Sequence, residues 1–250
     1  MSFMMPRVSA NASPRVLLSA CGGFYNACAG DDGKLSPLVG YNGRYGADNL
    51  QYVGFLFANF AMVDRWPSLV SKHVAMPLTK KLDRYLSVPI TFSAAPEGGK
   101  VLGQALANLT EEEYVFPEKV VTVPATPTSR EQSELRFNGR HELHPGSECI
   151  IVEDVCNNFS TTAQFIDEIH ARGCEVVAIA CFLNRSPVHR QFFVHNGVPY
   201  PIVALWDEAF PEYEQDDPMV AEHIRNANVL WKPKPNWKEL ESRAPARAFM

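Results

Sequence analysis

The chain has 250 residues, of which 46% are hydrophobic and 20% charged, and its formal net charge at pH 7 is −5. This apolar content is enough for a folded core, so a disordered chain and a coiled coil are excluded. The length suits one large domain better than two small ones. The mild acidity argues against a protein whose affinity comes from neutralising many phosphates, so we expect no nucleic-acid partner.

The cysteines and the apolar runs predict a cytoplasmic protein without a membrane partner. Six cysteines lie far apart, with no C-x-x-C pair and no spacing that resembles a zinc site, so we expect reduced thiols and no metal site built from protein ligands. The longest apolar stretch, Val53 to Val63, is too short to cross a bilayer. The first thirty residues contain arginines and serines but no acid, which is compatible with a transit peptide or with a plain flexible start.

Two helices are predicted before the first clear strand. Apolar residues recur at helical spacing from Asp48 to Trp66 and again from Ser68 to Leu86. The first of these segments carries an aromatic face, which suits the core or a dimer contact and consists of Tyr52, Phe55, Phe57 and Phe60. We expect the N-terminal part to form a helical cap, or hood, whose start covers about residues 1–40.

A strand, a glycine-rich turn and a helix come next, an order typical of a parallel sheet. The strand is predicted at Val88 to Phe92, the turn at Ala94 to Gly99 and the helix at Val101 to Leu109. A β-rich run from Tyr114 to Val123 follows.

The segment after this run predicts a long mobile loop between two extended arms. Pro124 to Ser133 is polar, contains two prolines and has no apolar periodicity, and a short return run ends at Phe137.

A complete βαβ unit is predicted from Glu148 onward. An apolar strand from Glu148 to Val152 leads through a polar turn into a helix from Ser160 to Arg172 and a strand from Glu175 to Phe182. Ligands of open α/β sheets bind at the carboxyl ends of the strands, where this turn lies.

The tail completes the predicted single domain. It contains extended runs at Gln191 to Val194 and Tyr200 to Trp206 and a helix around Met219 to Asn226. We place the core at about residues 88–206 and a C-terminal extension at about residues 207–250.

The polar turn of the βαβ unit combines two kinds of binding group. Glu153 and Asp154 end a buried strand, where two carboxylates can accept charge-assisted hydrogen bonds from a vicinal diol. Asn157 to Thr162 then open a helix, whose free N–H groups and positive dipole end favour an anion. A diol site beside a phosphate site is what a ribose 5-phosphate needs, although each feature alone is also common as an ordinary strand end or helix cap.

This stretch resembles a known sequence motif. Val152 to Thr162, preceded by four mainly apolar residues, is similar to the phosphoribosyl pyrophosphate motif of the type I phosphoribosyltransferases, in particular of orotate phosphoribosyltransferase-like proteins. The likeness spans roughly residues 40–235 and is strong at the motif. It implies an α/β fold with a central, mainly parallel sheet flanked by helices, and a homodimer. It also implies a Mg²⁺-dependent transfer of ribose 5-phosphate from phosphoribosyl pyrophosphate to a nucleobase, with orotate as the candidate acceptor, and release of pyrophosphate.

The resemblance also implies roles for individual residues. Glu153 and Asp154 match the ribose-binding acids, and the 5-phosphate loop corresponds to Asn157, Asn158, Phe159, Ser160 and Thr161. The pyrophosphate loop corresponds to Ala95, Glu97, Gly98 and Gly99, followed by Lys100. Lys119 and Arg130 match the basic, flexible loop that closes over the site and are the candidate catalytic residues.

Three positions depart from the family pattern and leave a second function open. Phe159 stands where the family usually has Gly, Glu97 where orotate enzymes tend to have Lys, and Asn157 where purine-type relatives carry Asp. A non-catalytic regulator that binds a nucleotide or phosphoribosyl pyrophosphate on the same fold is the alternative. The residues that choose the base are expected from the cap and the C-terminal segment, where no motif is visible.

Overall fold

The computed structural model describes residues 4–31, 33–123 and 132–250. The chain divides into two compact units, one formed by Met1–Arg65 with Ala209–Met250 and the other by Trp66–Glu208. The single domain expected from the sequence stays a prediction, because a compact unit can also be a subdivision of one domain.

Helices and strands are interspersed along the chain. The α-helices are α1 (Pro14–Ala20), α2 (Ala61–Asp64), α3 (Pro67–Leu69), α4 (Met76–Leu82), α5 (Lys100–Thr110), α6 (Ser160–His170), α7 (Ala221–Arg225) and α8 (Trp237–Arg243). The strands are β1 (Phe24–Asn26), β2 (Leu38–Tyr45), β3 (Leu50–Gly54), β4 (Leu56–Ala58), β5 (Ile90–Ala94), β6 (Glu113–Val115), β7 (Glu118–Val123), β8 (Gln132–Arg136), β9 (Glu148–Cys156), β10 (Glu175–Asn184), β11 (Phe192–His195), β12 (Val198–Asp207) and β13 (Val229–Leu230).

The unit Trp66–Glu208 is built on a six-stranded sheet. Its order is β11-β12-β10-β9-β5-β6, in which all neighbours are parallel except the edge pair β11 and β12. Helices α4, α5 and α6 pack on these strands. The predicted α/β fold with a central, mainly parallel sheet flanked by helices is therefore confirmed.

The apolar composition of β9 suits its position in the middle of the sheet. Cys149 to Val152 of β9 are all fully buried, as expected for a strand covered on both faces. The strand is longer than predicted, because the polar residues after Val152 continue the ladder with β10 as far as Cys156. The acid pair thus lies within β9 and not beyond its end.

Two predicted elements of this unit are confirmed with shifted ends. Strand β5 begins at Ile90 and not at Val88, since Pro89 has no N–H to offer a ladder and the Ile90 N–H donates to Glu112 Oε2 at 3.1 Å. The helical segment predicted from Ser68 is also present, as α3, a π-helical stretch at Val70–Ala75, α4 and a 3₁₀ turn at Asp83–Tyr85. Its predicted apolar face is fully buried and consists of Val70, Val74, Leu78 and Leu82.

The helix predicted from Asp48 to Trp66 is wrong. Strands β3 and β4 lie in the first part of this segment, and only α2 near its end is helical. The local sequence is rich in aromatic residues, which suit a half-buried pleated surface, and pairing of β3 with β2 and of β4 with β1 overrides the helical spacing. Gly54 assists this pairing, since a Cβ atom there would clash with the ring of Tyr41.

The unit formed by Met1–Arg65 and Ala209–Met250 is consequently not a purely helical cap. It contains the sheet β13-β2-β3 and the pair β1-β4 beside its short helices. The aromatic residues assigned to one helix face lie in its cores instead: Phe60 is fully buried, and Tyr52, Phe55 and Phe57 pack against buried clusters of the same unit. The helix face that suggested a dimer contact is therefore absent.

Three further expectations concern the two extended arms, membrane crossing and the state of the cysteines. Strands β7 and β8 form the predicted pair of extended arms, and residues 124–131 of the intervening segment lie outside the described residues. In the parts of the chain that the structure describes, no helix is long and apolar enough to cross a membrane. All six cysteines, each within the described residues, carry free thiols.

Candidate functional site

The acid pair lies near the carboxyl end of β9, in the middle of the sheet. Glu153 pairs in register with Cys181 of β10. Glu153 and Asp154 are both half-buried, so neither carboxylate is sealed in the core. The N–H of Val155 donates to Asp154 Oδ1 at 2.8 Å, which orients this carboxylate. Two accessible carboxylates at this edge can accept hydrogen bonds from ligand hydroxyl groups.

The glycine-rich turn after β5 packs directly against this pair. The Ala95 N–H donates to the carbonyl oxygen of Val152 at 2.9 Å. A Cβ atom at Gly98 would lie 2.3 Å from Asp154 Oδ1, and one at Gly99 would lie 2.0 Å from the Val152 carbonyl oxygen. A side chain at position 99 would collide with backbone, and one at position 98 would have to push the Asp154 carboxylate aside. The close approach brings two segments together that are more than fifty residues apart in sequence.

The turn between β9 and α6 presents the start of a helix. Asn158 Oδ1 accepts hydrogen bonds from the N–H of Ser160 at 3.3 Å and from its hydroxyl at 3.1 Å. Asn158, Ser160 and Thr161 are exposed, so the turn is open to solvent. The first N–H groups of α6 have no partner within the helix, and the helix dipole adds positive charge there. This end of α6 can therefore receive an anion.

Phe159 does not narrow the approach to this turn. Its side chain is only 3% exposed, and its ring stacks on Phe193 with centroids 4.8 Å apart and planes at 16°. Its backbone is left-handed, with φ 56°. This conformation costs a non-glycine residue about 1–2 kcal/mol, a cost that burial of the ring offsets. The side chain that replaces the family's usual Gly thus points into the core.

Glu97 and Lys100 flank the glycine turn as an exposed ion pair. Lys100 Nζ lies 3.4 Å from Glu97 Oε1 and 4.6 Å from the centroid of the Phe116 ring. The Glu97 side chain is 86% exposed, so water screens the attraction and the pair can separate at little cost. A lysine is consequently available beside the turn when a polyanion approaches.

Cys156 comes directly before the turn between β9 and α6, which we call the phosphate turn, and its thiol is packed in the core. The hydrogen bond of this thiol with Cys181 and its burial raise the pKa of Cys156 well above the ordinary value. The protonated thiol is a poor nucleophile, so Cys156 contributes packing to the site.

The structure describes only one of the two candidate catalytic residues. Lys119 is exposed on β7, in register with Leu135 of β8. Arg130 lies outside the described residues. Their roles stay predictions.

A polar segment after β10 lies against the candidate site and was not predicted from the sequence. Arg185 is only 8% exposed. Its backbone N–H donates to the carbonyl oxygen of Cys156 at 2.9 Å, at the base of the phosphate turn. Asn184 fixes the segment by donating to the carbonyl oxygen of His189 at 2.8 Å. The available signal was a polar run directly after a buried strand, the same signal that identified Glu153 and Asp154.

A cleft of about 510 Å³ lies at the opposite edge of the sheet, at the amino ends of β5 and β9. Three of its lining residues are the acids Glu112, Glu113 and Glu148. Because an acidic lining repels phosphates and the carboxyl edge carries the turn and the helix start, we place the site at the carboxyl edge.

Comparison with curated proteins finds relatives that share one name. Orotate phosphoribosyltransferase 2 of Mesorhizobium japonicum is 30% identical over 138 residues, which cover 55% of this chain and 67% of that protein. The orotate phosphoribosyltransferase of Bartonella tribocorum is 31% identical over 139 residues, which cover 56% of this chain and 68% of that protein. The matched part thus spans about two thirds of the length of these relatives.

Solved structures that resemble this chain share less of its sequence. The orotate phosphoribosyltransferase from Aeropyrum pernix aligns with a TM-score of 0.49 and 13% identity, over 77% of this chain and 92% of that one. No family profile matches the sequence.

Proposed function

Since this chain belongs to the type I phosphoribosyltransferase family, we propose that it transfers ribose 5-phosphate from phosphoribosyl pyrophosphate to a nucleobase and releases pyrophosphate. The observation that carries the proposal is the contact between the glycine turn and the acid pair. This contact puts a turn suited to pyrophosphate, a carboxylate pair suited to a diol and a helix start suited to phosphate at one edge of the sheet.

Each part of the donor then has a partner. Glu153 and Asp154 accept hydrogen bonds from the 2- and 3-hydroxyl groups of the ribose. The backbone of Asn157 to Thr161, with the hydroxyl groups of Ser160 and Thr161, binds the 5-phosphate. The backbone from Ala95 to Gly99 binds pyrophosphate, assisted by Lys100.

The reaction is a displacement at the anomeric carbon of the ribose. The bond from this carbon to a pyrophosphate oxygen breaks, and its electron pair leaves with pyrophosphate. A ring nitrogen of the base supplies the pair for the new C–N bond. Because positive charge develops on the ribose, the acid pair stabilises the transition state as well as the bound donor. The protein's main contribution is alignment of donor and base.

Magnesium fits this arrangement as a companion of the donor. Among the described residues, no group of three or more His, Cys, Asp or Glu side chains could hold a metal ion alone. Mg²⁺ is commonly bound by one or two carboxylates together with substrate phosphates and water, and Glu153 and Asp154 can supply those carboxylates. When bound, the ion would neutralise charge on the leaving pyrophosphate.

Lys119 and Arg130 are proposed to act from the hairpin that β7 and β8 begin. Both are cations on or beside a segment without apolar anchors, as a closing loop requires. Closed over the donor, they would neutralise pyrophosphate and exclude water that would otherwise hydrolyse it.

Orotate is the proposed acceptor, because the curated relatives bear that name. The base-selecting residues are expected from the N-terminal and C-terminal segments. We also propose a homodimer in the cytoplasm, the first from the family resemblance alone and the second from the six free thiols. A monomer by light scattering at micromolar concentration would contradict the dimer.

One observation favours the second candidate, a regulator that binds the donor or a nucleotide without turnover. Glu97 places a carboxylate on the turn that should bind pyrophosphate. If Lys100 stays paired with it, the turn loses net positive charge, which would weaken stabilisation of the leaving group more than recognition of the ribose.

Pyrophosphate release from donor and Mg²⁺, measured across a panel of purines, pyrimidines and nicotinate-like bases, separates the two functions. Release with one base, absent in the Glu153→Ala, Asp154→Ala double variant, supports the transferase. Donor binding by calorimetry without release supports the regulator. If neither the donor nor a nucleotide binds, both are wrong.

A further inference from the structure

A stack of three rings joins the phosphate turn to the edge of the sheet. Phe193 of β11 lies between two partners: Phe159, 4.8 Å away with planes at 16°, and His195, 6.0 Å away with planes at 12°. His189 meets both phenylalanine rings edge-on, at 5.3 Å from Phe159 and 5.1 Å from Phe193. The ring of Phe159 is therefore held on two sides.

The far end of the stack returns to the helix that the turn opens. His195 Nε2 lies 2.7 Å from Oδ1 of Asp167, on the exposed side of α6. The turn, the edge strand β11 and α6 are thus linked in a closed ring of contacts through Phe159, Phe193, His195 and Asp167. A closed set of contacts restricts motion more than a linear one, since each member limits its neighbour from both ends.

The backbone at Phe159 is the point that this stack controls. Its φ of 56° would be ordinary for glycine and is strained for phenylalanine. The carbonyl oxygen of Phe159 accepts the N–H of Ala163 at 2.8 Å, so this residue sets where α6 begins and where the first free N–H groups point. A strained backbone persists where its surroundings fix it, and here the ring contacts do so.

We propose that the ring stack of Phe159, Phe193 and His195, with His189 at its side, presets the anion-binding turn before the ligand arrives, which makes Phe159 a positioning residue. The inference rests on the proposed function for the identity of the ligand, the 5-phosphate of a phosphoribosyl compound. Where the family usually relies on Gly, this chain gains a rigid turn from aromatic packing. A turn already ordered loses less conformational entropy on binding, so the stack increases affinity for the phosphate and leaves the bond-breaking step alone.

The test compares Phe159→Gly and Phe193→Ala with the unchanged protein. Gly permits the same backbone angle without the anchor, and Phe193→Ala removes the anchor from outside the turn. For each we expect the Kd and KM of phosphoribosyl pyrophosphate to rise roughly 10-fold with kcat within about twofold. The double variant should be little worse than either single variant, because both remove the same contact.

Phe137→Leu is the matched control. Phe137 belongs to the same buried cluster, but its ring packs against Phe165 in the middle of α6, at 5.9 Å, and against Arg172 after the end of that helix, at 5.2 Å. The substitution should lower thermal stability to a similar extent without changing the KM. If Phe137→Leu raises the KM as much as Phe193→Ala does, the effect is general loss of stability and the proposal is wrong.

Hydrogen exchange in the ligand-free protein provides a readout that is independent of the substrate. Amides of residues 155–162 should exchange faster in Phe193→Ala than in Phe137→Leu. Unchanged exchange there would overturn the stack's role even if the protein is a phosphoribosyltransferase. Failure of the unchanged protein to bind phosphoribosyl pyrophosphate, with the exchange difference present, would overturn the proposed function and leave the preset turn standing.

Discussion

The carboxylate of Asp154 occupies the space directly above Gly98, where an added Cβ atom would lie 2.3 Å from Asp154 Oδ1. Gly98 belongs to the turn after β5 and Asp154 to β9, and their contact is the point where the proposed ribose and pyrophosphate subsites meet. A change at Gly98 therefore acts on the ribose subsite without touching Glu153 or Asp154 chemically.

Gly98→Ala should weaken donor binding more than it weakens the fold. The new methyl group forces the Asp154 carboxylate aside, so the charge-assisted hydrogen bond from the ribose to this carboxylate is lost. Loss of such a bond weakens the binding free energy by about 1.5–3 kcal/mol, or roughly 10- to 100-fold in Kd. Calorimetry with phosphoribosyl pyrophosphate measures the loss, and thermal unfolding should move by only a few degrees.

Gly99→Ala is the matched control for this prediction. Its Cβ would lie 2.0 Å from the backbone oxygen of Val152, which cannot turn away as a side chain can. We expect a loss of stability of about 1–3 kcal/mol, with a clear fall in Tm. Equal effects of both substitutions on affinity and on Tm would contradict separate roles for the two glycines.

Replacement of both acids, Glu153→Ala with Asp154→Ala, should abolish donor binding and keep the fold. Each lost charge-assisted hydrogen bond costs about 1.5–3 kcal/mol, so the pair is worth at least about 100-fold in Kd. Both side chains are half-buried, so their removal leaves no large cavity. Glu148→Ala, at the exposed first position of the same strand, should bind the donor normally. Unchanged donor affinity in the double variant would show that the acid pair is not part of the binding site.

The parts of the site that the sequence predicted are those encoded locally. An apolar run, two acids and a hydroxyl-rich helix start follow one another between Glu148 and Thr162, and each has a short-range physical meaning. The structure adds what depends on distant residues. The sequence shows Phe159 only as a departure from the family pattern, because its partner Phe193 lies on a later strand. Arg185 was not predicted as part of the site, because only the sheet brings it beneath the phosphate turn.

The N-terminal segment shows why the rest could not be predicted. From Asp48 to Trp66 the apolar spacing matched a helix, while the aromatic content suited strands, and local sequence cannot choose between the two. The partners that decide it, β1 and β2, lie earlier in the chain. By contrast, the four-residue spacing of Val70, Val74, Leu78 and Leu82 had no competing interpretation, and that helical segment is confirmed.

Lys119→Ala and Arg130→Ala should lower kcat with a smaller effect on donor Kd, because a closing loop acts after the donor has bound. Loss of one cation that stabilises the leaving group typically costs about 3 kcal/mol, or roughly 100-fold in rate. Single-turnover pyrophosphate release isolates this step. Arg136→Ala is the control: it removes an exposed cation from the β8 arm, where Arg136 lies 2.9 Å from Glu134, and should leave the rate unchanged. A rate loss as large in Arg136→Ala as in the other two would indicate general electrostatics of the hairpin.

The stability of the protein should be greatest between about pH 7 and pH 9 and fall on both sides. Burial raises the pKa of Cys21 to about 11 and that of Cys149 to about 12, from the ordinary 9.0. Above pH 9 the unfolded chain releases these protons first, so their stabilisation is present below 9 and is lost as pH rises toward the folded values. Burial lowers the pKa of His73 from 6.5, so its contribution is present above 6.5 and is lost as pH falls.

Calorimetric Tm measurements from pH 5 to pH 10.5 check this profile, with Cys149→Ala as the diagnostic variant. Each buried thiol contributes a slope of up to about 1.4 kcal/mol per pH unit on the alkaline side, so removal of one should flatten that side. The acid side, which depends on His73, should keep its shape in the variant. The variant starts from a lower Tm, because deletion of the fully buried sulfur leaves a cavity, and the difference from the unchanged protein should then shrink as pH rises. A constant difference across the range would show that Cys149 keeps its proton no more tightly in the folded chain than in the unfolded one.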